Sequence, residues 1–459
     1  MSTSPLRRSD LVQPFYEAET QAHNFRIGAE SEKFGFHQAT GRPLSYSDEP
    51  SVCRILEALA QGFGWEPVRE LSGGPVLGLR RGEASITLEP GAQLELSGAP
   101  LPDLHAVWQE SCDHLEELRP VSDKMGISWL VTGFHPVCSL AELPWVPKQR
   151  YPIMREYLPQ RGSGGLDMMQ RTATTQANFD WSSEEDGMLK LSVALRVSPL
   201  LHAWFANSPF RESQADGTLS HRGHVWRHMD PGRSGLVKPV YDAKKPRYED
   251  YVSWALRAGM FLIRRGSTII KNTGQPFSDF LENGYQGQRA TLDDWRLHIN
   301  TLFPEVRLKN TLEVRSVDGL PPALALASLA VWTGILYDQE ALEGVYELVS
   351  EVRHDQLEAS RPELCDRGLH ADLLGKLGFE WAEGICDLAR AGLQRRAKAG
   401  PGLADETHFL KPAEEILSSR MLPAERQLQR LKEGLSPASA AELRWPDQVP
   451  SGRAAAQEP

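Results

Sequence analysis

Cysteine is scarce in this chain, with 5 residues in 459. Cys53, Cys112, Cys138, Cys365 and Cys386 are odd in number, widely scattered and without metal-ligand spacing. That pattern excludes a disulfide scaffold and a Cys-x-x-Cys zinc site, and reduced thiols are expected. Long apolar runs are lacking too. The stretch PPALALASLAVWTGILY falls short of the uninterrupted span of about 20 residues that crosses a bilayer, and the opening MSTSPLRRSDLVQPF has no apolar leader segment. A cytoplasmic location with no membrane partner is expected on those grounds. Positive charge is in deficit: 50 Lys and Arg against 61 Asp and Glu leave a net charge of −11. No long basic patch offers a surface for nucleic acid. What remains is an ordinary globular composition, 41% hydrophobic and 24% charged, with ample length for a large core.

Periodicity and punctuation give a coarse order of elements. Helices are expected over 9–23, 50–63, 101–125 (stopped by Gly126), 151–158 and 183–206, and again near 248–265 and 276–283. The segments 321–396 and 411–433 also read as helical. Strands are expected over 25–36 and in SWLVTGFHP, RTATTQANFDW and VRLKNTLEVRSVD. GPVLGLRRG and ASITLEP form a hairpin around Arg81-Gly82, continued by AQLELSG. Residues 211–250 are rich in Gly, Pro and polar groups, as substrate loops are. The uneven helical insertions favour an α+β design, an antiparallel sheet with one open face and helices behind it, over regular βα units. Residues 1–434 read as a single catalytic domain. From Leu435 to residue 459, Pro, Ser, Ala and charge dominate, and a disordered tail is expected.

The strands carry acid where a one-sided sheet is normally apolar. In IGAESEKFGF, Glu30 and Glu32 point to the same side, because strand side chains alternate. Gln93 and Glu95 share a face in TLEPGAQLELSG, and Pro90-Gly91 breaks the pleat so that Glu89 can turn towards the same space. Thr174, Gln176 and Asn178 alternate in TATTQANFD, as do Thr311, Glu313 and Arg315 in TLEVRSVD. Clustered like charge needs compensation, since uncompensated burial costs several kcal/mol. Divalent Mg²⁺ supplies it in one reading, because carboxylates and amide oxygens are the hard ligands it takes. An internal salt-bridge network supplies it in the other, with Arg171 or Arg315 beside Glu30 and Glu32, and Arg315 as the counter-ion of Glu313.

These stretches resemble a known family, the plant-type glutamate–cysteine ligases of plants and proteobacteria. The likeness rests on GAESEKFGF, SITLEPGAQLELSGAPL, KQRYPIMREYLP, GLDMMQRTATTQANFDWSSE, FANSPF and LFPEVRLKNTLEVRSVDG, and it runs from about residue 10 to residue 433. It implies a glutamine-synthetase-like catalytic fold, with a twisted antiparallel sheet lining a funnel-shaped site. It also implies ATP-dependent joining of the γ-carboxylate of L-glutamate to the amine of L-cysteine, the first step of glutathione synthesis. Under the resemblance, Glu30, Glu32, Glu89, Glu95 and Glu313 hold two or three Mg²⁺ ions, and Gln176 and Asn178 lie beside the nucleotide. Arg315 stabilises the transferring phosphoryl group, with Glu313 and Glu30 as its catalytic neighbours. Arg150 in KQRY and Arg222 in SHRGHVW hold glutamate, with Trp226 from the same stretch as a further substrate contact; a loop salt bridge is the alternative for either arginine. Arg233 in DPGRSG is a candidate phosphate contact.

Departures accompany the likeness. The positions of the plant redox cysteine pair fall on Trp108 and Leu326, and the plastid transit peptide is lacking. A tyrosine of the plant acceptor pocket corresponds to Phe261, which leaves open a γ-glutamyl ligase with another amine acceptor. A non-catalytic sensor of nucleotide and glutamate is a third reading, opposed by the retention of all five carboxylates and Arg315. A monomer or weak homodimer is expected.

Overall fold

The computed structural model describes residues 6–399 and 404–443. Its centre is one nine-stranded sheet built from β1 (Ile27–His37), β2 (Glu66–Val68), β3 (Gly78–Arg81), β4 (Ala84–Leu88), β5 (Leu94–Ser97), β6 (Ile127–Leu130), β7 (Thr174–Phe179), β8 (Val306–Leu308) and β9 (Leu312–Asp318). The spatial order is β8-β9-β7-β1-β5-β4-β3-β2, with β6 on the far half of β1, and every pair in it is antiparallel. This matches the α+β design expected from the sequence.

Alternation sorts the two faces. Ile27 and Ala29 of β1, Ala177 and Phe179 of β7, and Leu312 and Val314 of β9 point back into the main core. The helix Glu184–Trp204 lies behind β9, and nearly all of its residues from Gly187 onward are buried. Helices Pro322–Leu336 and Gly378–Ala399 close the layer behind it. A second apolar cluster joins β3, β4 and β5 to the helix Val52–Phe63, which Ser51 caps by accepting from the Arg54 amide. Among the described residues no helix is long and apolar enough to cross a membrane.

Some elements differ from expectation. The helix expected over 9–23 is two short turns, Arg8–Val12 and Gln13–Glu17. VRLKNTLEVRSVD is not one strand but the hairpin β8–β9, reversed at Lys309-Asn310. Helix 248–265 stops at Ala255, and Leu262–Arg265 pairs with Thr268–Lys271 across Gly266, whose φ of +59° lies in the left-handed region that glycine adopts without strain. The tail expected to be disordered from Leu435 begins with a helix, Pro437–Ala441. Its continuation pairs with the β6 region: the Val131 amide donates to Ala441 O at 3.0 Å and the Leu443 amide to Trp129 O at 2.7 Å. Composition missed it because the sheet supplies the hydrogen-bond partners. Residues 444–459 of the expected tail lie outside the described residues.

Candidate active site

Strand register assembles the open face. Glu32 lies directly opposite Glu95, and Glu95 opposite Thr87. On the other flank Glu30 faces Gln176, Asn178 faces Glu313, and Glu313 faces Arg307. A row of polar side chains thus crosses six strands. Like charges directly opposite are destabilising in a sheet, so the Glu32–Glu95 pair opposes folding rather than supporting it.

Glu30, Glu32, Glu95, Gln176, Glu313 and Arg307 of this row form the floor of a cavity of about 410 Å³, within the size range of small-molecule sites. Glu30, Glu32, Glu89, Glu95 and Glu313 all line it, as do Gln176, Arg150, Arg222, Trp226 and Arg315. Glu89 reaches it from the tight turn between β4 and β5, closed by its own amide donating to Gln93 O at 2.9 Å. Gly91 is required in that turn by close approach: a Cβ there would lie 2.5 Å from Gln170 O. Lys148 Nζ and Tyr151 Oη both donate to Leu88 O, at 2.7 and 2.9 Å. They pin the loop that carries Arg150, whose guanidinium sits 5.3 Å from the Tyr151 ring centre.

Charge in the cavity is unevenly compensated. Burial, then the charges of Glu313 and Glu95, pushes the Glu30 carboxyl up to about 7. Burial together with Glu95 and Glu89 raises Glu32 well above the ordinary value, and burial with Glu89 raises Glu95. Their partners are mostly neutral: Asn178 Nδ2 donates to Glu30 at 2.7 Å, the Thr174 amide to Glu32 at 2.9 Å, and the Thr87 hydroxyl to Glu95. Glu313 is the opposite case. Arg307 grips it bidentately at 2.5 and 2.9 Å, Arg315 Nη1 donates to it at 3.0 Å and Lys309 Nζ lies at 3.5 Å. Burial would raise its pKa, but these three cations outweigh burial and hold it well below the usual carboxylate range.

The arginines are set by the chain around them. A β-bulge between Val314 and Val317 interrupts the pairing of β9 with β7 just where Arg315 stands, as bulges do where a side chain is re-aimed. Arg315 Nη1 also donates to Gln176 Oε1 at 2.7 Å, and Gln176 Nε2 reaches Glu32 at 3.4 Å. Arg222 donates to Ser316 O at 2.7 Å and to Arg315 O at 2.6 Å. Its guanidinium carbon lies 5.4 Å from the Trp226 ring centre, and that of Arg315 lies 5.9 Å from it.

Four expectations are corrected. Arg233 is fully buried outside the cavity, ion-paired with Asp230 at 3.0 Å and donating to Thr301 O at 2.9 Å, so its guanidinium is consumed structurally and does not face a phosphate. Phe261 is buried beneath it, 4.0 Å from the Arg233 guanidinium carbon, and does not line the cavity. Asn178 is not a wall of the cavity; it orients Glu30 while accepting from Thr311 Oγ1 at 2.7 Å. Arg171, a suggested partner of Glu30 and Glu32, pairs instead with Asp167 at 2.6 Å and Glu212 at 2.8 Å.

Arg307, Lys309 and Thr87 were missed by the sequence reading. A hairpin turn at Lys309-Asn310 would have revealed Arg307, since it places that residue opposite Glu313. Among the described residues, no three carboxylate, histidine or cysteine groups converge closely enough to hold one ion alone. The donor set nevertheless fits Mg²⁺, which keeps waters and substrate phosphates among its ligands and takes only one or two carboxylates per ion.

Residues 26–448 match the model of the family described as glutamate-cysteine ligase family 2. A chloroplastic glutamate–cysteine ligase A of Oryza sativa subsp. indica is 41% identical over 429 residues, covering 93% of this chain and 85% of the relative. The chloroplastic glutamate–cysteine ligase of Nicotiana tabacum is 40% identical over 432 residues (94% and 80%), and that of Arabidopsis thaliana is 38% identical over 432 residues (94% and 80%). In fold, the chain is similar to a crystal structure of glutamate–cysteine ligase from Francisella tularensis in complex with AMP, with a TM-score of 0.54, 14% identity and coverage of 92% and 88%. The plant relatives are chloroplastic, which points away from the cytoplasmic location expected from the sequence. That expectation rested on the absence of long apolar runs and on the opening residues, neither of which fixes a compartment.

Proposed function

Because the chain belongs to glutamate–cysteine ligase family 2, we propose that it joins the γ-carboxylate of L-glutamate to the amine of L-cysteine, using ATP. The observation that carries this reading is one cavity in which under-compensated carboxylates lie beside preorganised arginines. A free carboxylate is a poor acyl donor, because its leaving group would be oxide. Phosphorylation by ATP gives γ-glutamyl phosphate, whose leaving group is phosphate, and the cysteine amine then attacks the acyl carbon.

Phosphoryl transfer depends mainly on positioning and neutralisation of charge. Glu30, Glu32, Glu89 and Glu95 would hold Mg²⁺, two or three ions in all, with Gln176 as a neutral oxygen donor. Glu313 would join them by exchanging Lys309, the most distant of its cations. When bound, Mg²⁺ screens the phosphate oxygens and draws electron density from the transferring group. Arg315 is aimed by Gln176 and Glu313 at the same space, where it stabilises the charge on that group. Arg222, beside Trp226, and Arg150, beside Tyr151, both line the cavity and suit the carboxylates of glutamate. Met154, Met168 and Met169 give one wall an apolar, polarizable surface suited to a thiol side chain.

The test is phosphate release with ATP, Mg²⁺ and glutamate against a panel of acceptor amino acids. Release that requires glutamate and is strongest with cysteine is expected. Stronger release with another amine would transfer the acceptor assignment, and release independent of glutamate would overturn the reading.

A further inference from the structure

Behind the catalytic face, β9 ends in Asp318, which is fully buried and outside the cavity. Its Oδ2 accepts from the Asn207 amide at 2.8 Å and the Ser208 hydroxyl at 2.7 Å, and its Oδ1 from the Ser220 hydroxyl at 3.0 Å. His202 Nε2 lies 2.7 Å from Ser220 Oγ. Serine, histidine and aspartate in this sequence of contacts have the composition of a nucleophilic triad. Ser220 has no exposed surface, however, and does not line the catalytic cavity, so no substrate reaches its oxygen from there.

Its proton inventory points elsewhere. A serine hydroxyl donates once and accepts twice. Ser220 donates to Asp318, so it accepts from the Gly223 amide at 3.1 Å and from His202, which must carry its proton on Nε2. Ser208 donates to Asp318 and accepts from the Arg222 amide at 3.4 Å. Each hydroxyl thus accepts one amide of the first turn of the helix His221–Arg227, which carries Arg222 and Trp226 into the cavity. The fit is close: a Cβ on Gly223 would lie 2.1 Å from His202 Cε1. From that helix Arg222 reaches back to the carbonyls of Arg315 and Ser316, inside the bulge that precedes Asp318 on the same strand. A closed circuit results, from Asp318 through two serines to the helix, and through Arg222 back to the strand.

We propose that Asp318, with Ser208, Ser220 and His202, is a positioning assembly that sets Arg222, and through it the Arg315 bulge, for binding of the glutamate α-carboxylate. The assembly touches no substrate and acts through the placement of one helix turn. This proposal rests on the assignment of Arg222 to glutamate made above.

The test measures KM for glutamate and for ATP, kcat and thermal stability in Ser208→Ala, Ser220→Ala, Asp318→Asn and Arg222→Ala. Each serine variant removes one donor to Asp318 and one acceptor at the helix start. Each is expected to raise the glutamate KM about three- to tenfold while the ATP KM changes less than about twofold. Asp318→Asn is expected to raise it further. Should that variant fail to fold, the two serine variants decide. The serine double variant is expected to fall short of the product of the single effects, because both act through one helix turn. A lowered melting temperature with both KM values unchanged would show a purely structural network and overturn the proposal. So would parallel rises in both KM values. Arg222→Ala separates the two layers: no effect there on glutamate KM sinks the assignment of Arg222 itself. A large effect there with none in folded serine variants sinks only the positioning assembly.

Discussion

The two flanks of the cavity treat the same side chain in opposite ways. On the β1–β5 flank, Glu30, Glu32 and Glu95 face one another with mostly neutral hydrogen-bond donors, and their pKa values are raised. On the β8–β9 flank, one carboxylate, Glu313, is met by Arg307, Lys309 and Arg315, and its pKa is depressed. Burial acts alike on both flanks, so the difference lies in the neighbours. The first flank is short of positive charge, which suits the cation proposed for it. The second is already neutralised, and Glu313 holds Arg307 and Arg315 by hydrogen bonds. A site that gathers cations and presents guanidinium groups, as proposed above, needs both solutions side by side.

The largest effects should come from breaking each flank at its functional group. Glu95→Gln and Glu30→Gln are expected to abolish Mg²⁺-dependent phosphate release, and Arg315→Ala to lower kcat about 10²–10³-fold. Near-normal turnover of either glutamine variant at saturating Mg²⁺ would remove that residue from the cation site. Next in size is a contrast in stability. Glu313→Gln strands the buried Arg307 without its counter-ion and should cost about 3 kcal/mol. Glu30→Gln relieves repulsion and should leave the metal-free melting temperature unchanged or raised. Equal losses in the two variants, measured by thermal melts without Mg²⁺, would erase the distinction between the flanks.

Arg150→Ala and Arg222→Ala should raise the glutamate requirement by about 10-fold or more, with little change for ATP, since a charge-assisted hydrogen bond contributes about 1.5–3 kcal/mol. A selective effect on ATP in both would reverse their assignment. A smaller effect concerns pH. Glu30 holds its proton up to about 7 when folded against 4.5 for the ordinary side chain, so between these limits the folded chain binds more protons than the unfolded one. Metal-free stability should therefore rise as pH falls through that window and decline as pH climbs back through 7. Saturating Mg²⁺ should flatten the slope, because it favours the ionised carboxylates. A metal-free melting temperature that falls on acidification across the window would contradict the raised pKa values.

The smallest expected effect is none at all. All five cysteines are free; Cys112, Cys138, Cys365 and Cys386 are buried, and burial pushes their thiols up to about 11 for Cys112 and about 12 for the others. Buried thiols of raised pKa are poor nucleophiles. Trp108 and Leu326 sit in two helices that pack on each other, where they add apolar contact instead of a thiol pair. Dithiothreitol should change neither activity nor elution volume. A several-fold reversible change, with one disulfide found by peptide mapping, would refute this.

The alternation of Glu30 with Glu32, of Gln176 with Asn178 and of Glu313 with Arg315 was legible in the chain, because strand geometry assigns a face to every second residue. So were the antiparallel class of the sheet and the helices that end at Gly64 and Gly126. Those features depend only on neighbours in sequence. The identity of each group's partner did not follow, because partners are brought together by register and packing. The pairing of Arg307 with Glu313 follows only once the hairpin register is known, and nothing local says that Arg233 is consumed by Asp230 or that Asn178 serves Glu30. Nor does it tell that residues 437–443 find hydrogen-bond partners beside β6. The sequence by itself determined which side chains could share a face. Tertiary structure decided which charges were left uncompensated, since compensation depends on distances across strands that no local pattern encodes.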